Sequence, residues 1–287
     1  MIREHFDFFH LFFIHIMTRI KSFLKSVTPT FVLDARAQRN FFAKPGWYAT
    51  HLGAFNSFGE ANEYIKKYSI PAGFKLNHDE WLKERMKLSS HDYPVLFWLY
   101  NILNSKNLTT IFDFGGSVGV SYYAFSKYFT FSSNLLWTVC ELPEVVDSGN
   151  RIKEHLDGEH LFFTTDQQLM QKADIFYTAG AIHYIEEKLP ELLEKYNARP
   201  EYIIVNKIPL SPASEFVTIE NGGGSGCYPC KIERESSFIA SMKNIGYAEQ
   251  DRWKCVEHKM NVILHPELSF TSFRGFVFKK VTVAKHD

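Results

Sequence analysis

The sequence predicts an open, mostly parallel α/β sheet flanked by helices, with a helical segment in front of it. Three observations predict it. Short apolar runs recur through the second half of the chain. Segments with helical spacing lie between some of them, and strands alternating with helices make such sheets. The first run ends in a glycine-rich turn, as a parallel strand does when it hands over to a ligand-binding crossover.

The first run is Ile111-Phe112-Asp113-Phe114, and its turn is Gly115-Gly116-Ser117-Val118-Gly119. Helix-like residues Val120 to Phe129 follow. Leu135 to Cys140 form a second run, closed by Glu141, 22 residues beyond Gly119. Leu161 to Thr165 form a third, closed by Asp166. The fourth is Ala173 to Gly180, followed by Ala181-Ile182-His183-Tyr184. The fifth is Glu201 to Lys207. Leu189, Leu192, Leu193 and Tyr196 share one helical face between the last two. A helix is expected over Ser236 to Lys243, stopping near Gly246. Tyr247 to Val256 and Phe273 to Val283 read as strands of an antiparallel hairpin at the sheet edge.

Upstream, residues 1–107 read as a helical cap and residues 108–287 as the sheet domain. Residues 27–56 carry Pro29, Pro45, Gly46 and Gly53 and read as loop with short helical pieces. Ser57 and Glu60 have capping-box spacing, and Ala61, Tyr64, Ile65 and Tyr68 recur at helical intervals. His78 to Leu88 and Pro94 to Leu103 read as two further helices. Pro209 to Cys230 contains Gly222-Gly223-Gly224-Ser225-Gly226 and reads as a loop that could close over substrate.

Asp113 discriminates between ligands. A dinucleotide site aims its turn amides at a pyrophosphate, which a carboxylate just before the turn would repel. A cationic ligand suits it better, such as S-adenosylmethionine with its sulfonium and ammonium groups. Glu141, at the end of the second strand, is placed to accept hydrogen bonds from ribose hydroxyls. Asp166 could meet an adenine edge. The alternatives are a helix N-cap for Asp113 and a surface acid for Glu141.

With this ordered set, the chain resembles the Rossmann-like S-adenosylmethionine-dependent methyltransferases. More narrowly it is similar to a bacterial group with a Phe-Gly-Gly-Ser-x-Gly turn. That group also shows Glu-Leu-Pro after the second strand (Glu141-Leu142-Pro143), a His-Tyr pair after the fourth, and an upstream Trp-Tyr before Ser-Phe-x-Glu-Ala (Trp47-Tyr48 and Ser57 to Ala61). The resemblance implies that Asp113, Gly115, Gly116, Ser117 and Gly119 hold the methionine part, Glu141 the ribose and Asp166 the adenine side. It implies transfer to a small molecule, on oxygen, with a sugar or glycan precursor as the acceptor. Competing readings are an NAD-dependent oxidoreductase, disfavoured by Asp113 and by the absence of Gly-x-Gly spacing, and a binding protein that keeps the cofactor fold without catalysis.

His183 is the candidate base: it follows the fourth strand, at the edge where such sheets bind ligands, and imidazole titrates near neutrality. Plant-type O-methyltransferases carry His-Asp-Trp there; here the pair is His183-Tyr184. Tyr184, Lys207, Glu220 and Asn221 are candidate substrate contacts. Tyr122 and Tyr123 could touch cofactor or pack.

Composition sets bounds. The chain has 287 residues, 45% of them hydrophobic, enough for a substantial core. Its 32 basic and 32 acidic residues balance, so nothing draws it to nucleic acid. The 27 phenylalanines and 14 tyrosines belong mostly to the core. Four cysteines suggest a reducing, cytoplasmic compartment. Cys227 and Cys230 form a C-x-x-C without a second pair or a thioredoxin-like setting, so no metal is expected. The apolar stretch between Phe6 and Ile20, with the cations up to Lys25, is too short and polar to span a bilayer. It reads as a helix packed on its own domain or across a dimer, or as a peripheral membrane contact through residues 6–25.

Overall fold

A computed structural model describes residues 30–43, 50–68, 82–83, 85–105, 108–222 and 226–281. The N-terminal apolar stretch and Trp47-Tyr48 lie outside the described residues, as do residues 78–81 and 84 of the helix expected over His78 to Leu88. Among the described residues no helix is long and apolar enough to cross a membrane.

The main sheet is built from β2 (Thr110–Phe114), β3 (Leu136–Cys140), β4 (Leu161–Thr164), β5 (Ile175–Ala179), β6 (Tyr202–Ile208), β10 (Tyr247–Cys255) and β12 (Phe273–Lys280). Their order across the sheet is β10-β12-β6-β5-β2-β3-β4. The pairs among β2 to β6 are parallel; β12 runs antiparallel to both β6 and β10. The five apolar runs are therefore the five parallel strands, and the edge hairpin forms as expected. The chain steps outward from β2 through β3 to β4, then returns to β5 on the other side of β2. That reversal opens a crevice at the carboxyl ends of β2 and β5.

Alternation along β2 divides the core. Ile111 packs with Trp137, Tyr177 and Ile204 on one face, beneath α3 (Asp92–Ser105) and α4 (Val120–Phe125). Phe112 and Phe114 pack on the other, against α6 (Leu189–Lys195) and α7 (Glu235–Asn244). Leu189, Leu192 and Leu193 of α6 are fully or almost fully buried, each contributing roughly 1.5–3 kcal/mol of transfer free energy. Tyr122 and Tyr123 are also buried here; Tyr122 stacks on Phe131 at 5.1 Å, so packing is the role the geometry gives it.

A second sheet departs from the sequence reading. It joins β1 (Thr50–Phe55), β7 (Leu210–Ser211), β8 (Phe216–Asn221), β9 (Cys227–Arg234) and β11 (Val262–Ile263) in the order β11-β1-β8-β9-β7. Residues 50–55, expected as loop, are thus a strand, antiparallel to β8. The loop expected over Pro209 to Cys230 is instead largely β7, β8 and the start of β9. Gly222 follows β8 and Gly226 precedes β9, and the Gly222 amide donates to the Gly226 carbonyl at 2.9 Å. Residues 223–225 lie outside the described residues.

Leu52, Val217 and Ile219 pack on one face of this sheet with Phe41 of α1 (Thr30–Ala43) and Ala61 of α2 (Phe58–Lys66). Cys230 and Ile232 on the other face pack against Cys255, Met260 and Phe273. Ser57 caps α2 by accepting the Glu60 amide at 3.1 Å, while Glu60 reaches back to the Asn56 amide at 2.8 Å.

Candidate functional site

A cleft of about 570 Å³ opens where the topology reverses. Its floor is the turn after β2 (Gly115, Gly116, Ser117) with Ala179 and Gly180 after β5. Gly115 and Gly180 sit at φ +70° and +76°, backbone that side chains rarely adopt. Gly116 is needed for a different reason. A Cβ there would lie 2.4 Å from the Asp113 carboxyl, so only hydrogen fits between turn and strand.

Asp113 itself does not line the cleft. Strand alternation sends it into the face shared with Trp137 and Tyr177, where it is fully buried under the turn. Trp137 Nε1 donates to its Oδ2 at 3.0 Å. Burial raises the carboxyl to about 7, with Glu141 adding to the rise and the Trp137 hydrogen bond opposing it.

Glu141 turns back toward the glycines. Its Oε1 accepts the Ser117 amide at 3.0 Å and its Oε2 accepts the Leu142 amide at the same distance. Burial raises its pKa against those two bonds. Glu141 thereby fixes the left-handed Ser117 (φ 53°) and keeps a carboxylate beside the cleft floor. Asp166 ends up elsewhere: exposed at the end of β4, its Oδ1 accepts the Gln168 amide at 2.9 Å and caps the short helix Gln167–Lys172.

The wall of the cleft carries the other sequence candidates unevenly. His183 and Tyr184 lie on the single helical turn Ile182–Tyr184 and both line it. Burial pushes the His183 imidazole down to about 3, so it is neutral near pH 7. Its Nδ1 is buried without a hydrogen-bond partner among the described residues. Tyr184 donates its hydroxyl to Glu220 Oε2 at 2.5 Å, joining the β5 loop to β8. Glu220 lines the cleft, whereas Asn221, one residue on, points to the other face of β8 and donates to the Phe41 carbonyl at 2.5 Å. The two-residue period of the strand separates them. Asn221 is thus structural rather than a contact of this cleft.

Lys207 lines the cleft from the end of β6, at φ +56°, and burial lowers its amine below the usual lysine range. Asn206 accepts the Lys207 amide and donates to Asp92 Oδ1 at 3.2 Å, bringing α3 to the cleft rim. The far wall holds groups that sequence reasoning did not single out: Asp92, His91, Glu257 and His258. His91 Nδ1 lies 3.0 Å from Glu257 Oε2, and hydrogen bonds from Ser90 and His91 hold Glu257 down at about 2. Burial and the nearby His91 hold His258 down at about 4. These residues have no motif spacing; only the packing of the pre-sheet segment against the turn after β10 joins them.

No family model matches the chain, and no curated protein matches it. Solved structures do. The LepI complex with SAM aligns at a TM-score of 0.47 and 9% identity, over 77% of this chain and 55% of that one. The N-terminal domain of EvdMO1 with SAH bound gives 0.45 and 12%, over 79% and 98%. The 1,6-didemethyltoxoflavin-N1-methyltransferase of Burkholderia thailandensis gives 0.41 and 11%, over 74% and 94%. At such identities and scores the likeness assigns no function; the chain's own residues must.

Proposed function

We propose that this chain is an S-adenosylmethionine-dependent methyltransferase acting on a small molecule, with oxygen as the acceptor atom. The observation that carries it is the Gly115–Gly119 turn at the strand reversal, tied to Glu141 through the Ser117 amide and opening on the cleft. A carboxylate beside a bare turn suits ribose hydroxyls, and the buried Asp113 below it, once ionised above about pH 7, disfavours a phosphate at the turn. Gly115, Gly116, Ser117 and Gly119 would hold the methionine end. Asp166 would act only at the adenine margin, with its carboxylate already engaged as a cap.

Bound in that turn, S-adenosylmethionine would supply the methyl group to the acceptor oxygen, with S-adenosylhomocysteine as the by-product. The sulfonium is already activated, so alignment supplies most of the acceleration. Neutral His183 holds the acceptor hydroxyl and takes its proton late, once the new bond has made that proton acidic. Tyr184, Glu220 and Lys207 orient the rest of the acceptor. The choice of a sugar or glycan precursor is supported by the sequence resemblance alone.

Calorimetric titration with S-adenosylhomocysteine and, separately, with NAD tests the cofactor assignment. Saturable binding of the first and none of the second is expected. Binding of NAD alone would replace this reading with the oxidoreductase one. Cofactor binding with no methyl transfer to any acceptor in a broad panel would favour the non-catalytic alternative.

A further inference from the structure

The second sheet gathers His51 of β1, Glu220 of β8 and Cys230 of β9 on one face. His51 pairs directly with Glu220, and Cys230 pairs with Thr218, which shares the Glu220 face. One ligating atom from each of the three lies within 4.8 Å of the others. His51 is 1% exposed, and neither of its ring nitrogens has a hydrogen-bond partner among the described residues. Its contact with Glu220, 3.7 Å from Nε2 to Oε2, is too long for a hydrogen bond. A buried imidazole with one long ion-pair contact to Glu220 and no hydrogen bond is poorly satisfied, and such a group usually marks an unaccounted interaction.

We infer that His51, Glu220 and Cys230 bind a divalent transition-metal ion, with Zn²⁺ the best match. An imidazole, a carboxylate and a thiolate together suit zinc; the sulfur and the single carboxylate disfavour magnesium and calcium. Zinc–ligand bonds of about 2.0–2.3 Å set ligand atoms roughly 3.3–3.8 Å apart, so the trio closes with about an ångström of side-chain rotation. Cys230 is a free, buried thiol, and binding moves its proton to solvent as the sulfur–metal bond forms. The two anionic ligands then balance the ion's charge. Tyr184 donates to Glu220 from outside and orients it.

Three protein ligands leave a fourth position open. Glu220 also lines the cleft, so the trio adjoins its wall, with His51 and Cys230 buried outside the lining. The C-x-x-C pair is not the site. Cys227 and Cys230 are three residues apart on β9 and point to opposite faces, Cys227 toward Leu52 and Cys230 toward Met260.

The site stands or falls independently of methyl transfer, because its test is metal content. The full-length protein, dialysed after incubation with Zn²⁺, should retain about one equivalent by elemental analysis. Replacing Zn²⁺ with Co²⁺ should give a thiolate-to-cobalt charge-transfer band. Cys230→Ser should lose that band and at least tenfold in metal affinity; His51→Asn should lose similar affinity; Cys227→Ser should change neither. Absence of stoichiometric uptake at micromolar Zn²⁺ overturns the inference, as does equal damage from Cys227→Ser. If Cys230→Ser does not fold, X-ray absorption on the wild-type zinc form decides. One sulfur in the coordination shell sustains the site and none removes it. S-Adenosylhomocysteine binding measured on the same samples separates this result from the cofactor assignment.

Discussion

Trp137 Nε1 donates to Asp113 Oδ2 across 3.0 Å, in the floor directly beneath the glycine turn. Asp113 Oδ1 is buried without a partner among the described residues, and the carboxyl titrates near 7 against an ordinary value of 3.8. The unfolded chain therefore ionises first as pH rises. This residue's contribution to stability is greatest below 3.8 and is lost as pH climbs through 7. Asp113→Asn keeps the shape and an acceptor for Trp137 without the charge. Thermal unfolding should show the variant more stable than wild type at pH 8, by about 1–3 kcal/mol, with the advantage gone at pH 4. A variant less stable at both pH values would contradict the raised pKa.

The same substitution should act on ligands according to charge. S-Adenosylmethionine carries a sulfonium that S-adenosylhomocysteine lacks, so at pH 8, where Asp113 is ionised, removing its charge should weaken the first more than the second. Calorimetry on both should show the affinity ratio shifting several-fold against the methyl donor. Equal losses would mean that Asp113 only shapes the turn.

Gly116→Ala places a methyl 2.4 Å from the Asp113 carboxyl, and neither the strand nor the turn can yield cheaply. A loss of about 1–3 kcal/mol in stability is expected, with a loss of at least tenfold in S-adenosylhomocysteine affinity. Gly59→Ala is the control. Its new methyl meets only Ser57 Oγ, at 3.7 Å, on an exposed part of α2. That change should be neutral or slightly stabilising and leave ligand binding intact.

Glu141→Gln replaces an acceptor-only group by one that turns an N–H toward either the Ser117 or the Leu142 amide, and so can no longer accept from both while also accepting from a ribose hydroxyl. Cofactor affinity should fall about tenfold, roughly 1.4 kcal/mol, with little change in melting temperature because the carboxylate is peripheral to the core. Unchanged affinity would reduce Glu141 to a brace for Ser117.

The parallel strands and their turn were legible because each is a local pattern: an apolar run, then glycines or an acid at its end. The second sheet was not, because its pairings are remote in sequence. His51 meets Glu220 across all five parallel strands of the main sheet, and no periodicity in residues 50–55 announces a partner there. Glycines in Gly222–Gly226 made the β8–β9 hairpin read as a loop, although Phe216-Val217-Thr218-Ile219 has the β-branched content of a strand. Register explains the split between the neighbouring candidates Glu220 and Asn221, since a one-residue step moves a side chain to the other face. Asp113 was found for its charge, yet burial set its position and ionisation, and burial depends on Trp137 and Tyr177 arriving from other strands.

His183 gives the last test. Burial lowers its imidazole to about 3 from 6.5, so below pH 6.5 the unfolded chain takes up a proton that the folded chain refuses. The stability it contributes is present above 6.5 and is lost as pH falls toward 3. His183→Asn cannot gain that proton, so its unfolding free energy should decline less steeply than wild type across that window. In turnover, the neutral imidazole takes its proton late and weakly, at the low end of general-base assistance. The variant should therefore lose about ten- to a hundredfold in kcat while binding S-adenosylhomocysteine normally. The pH profile of kcat/KM should carry no imidazole ionisation between 5 and 8, because the group is already neutral there. Unchanged turnover would leave His183 as cleft lining alone. An ionisation near 6.5 that disappears in His183→Asn would show an imidazole with ordinary basicity, exposed to water in a way this packing does not permit.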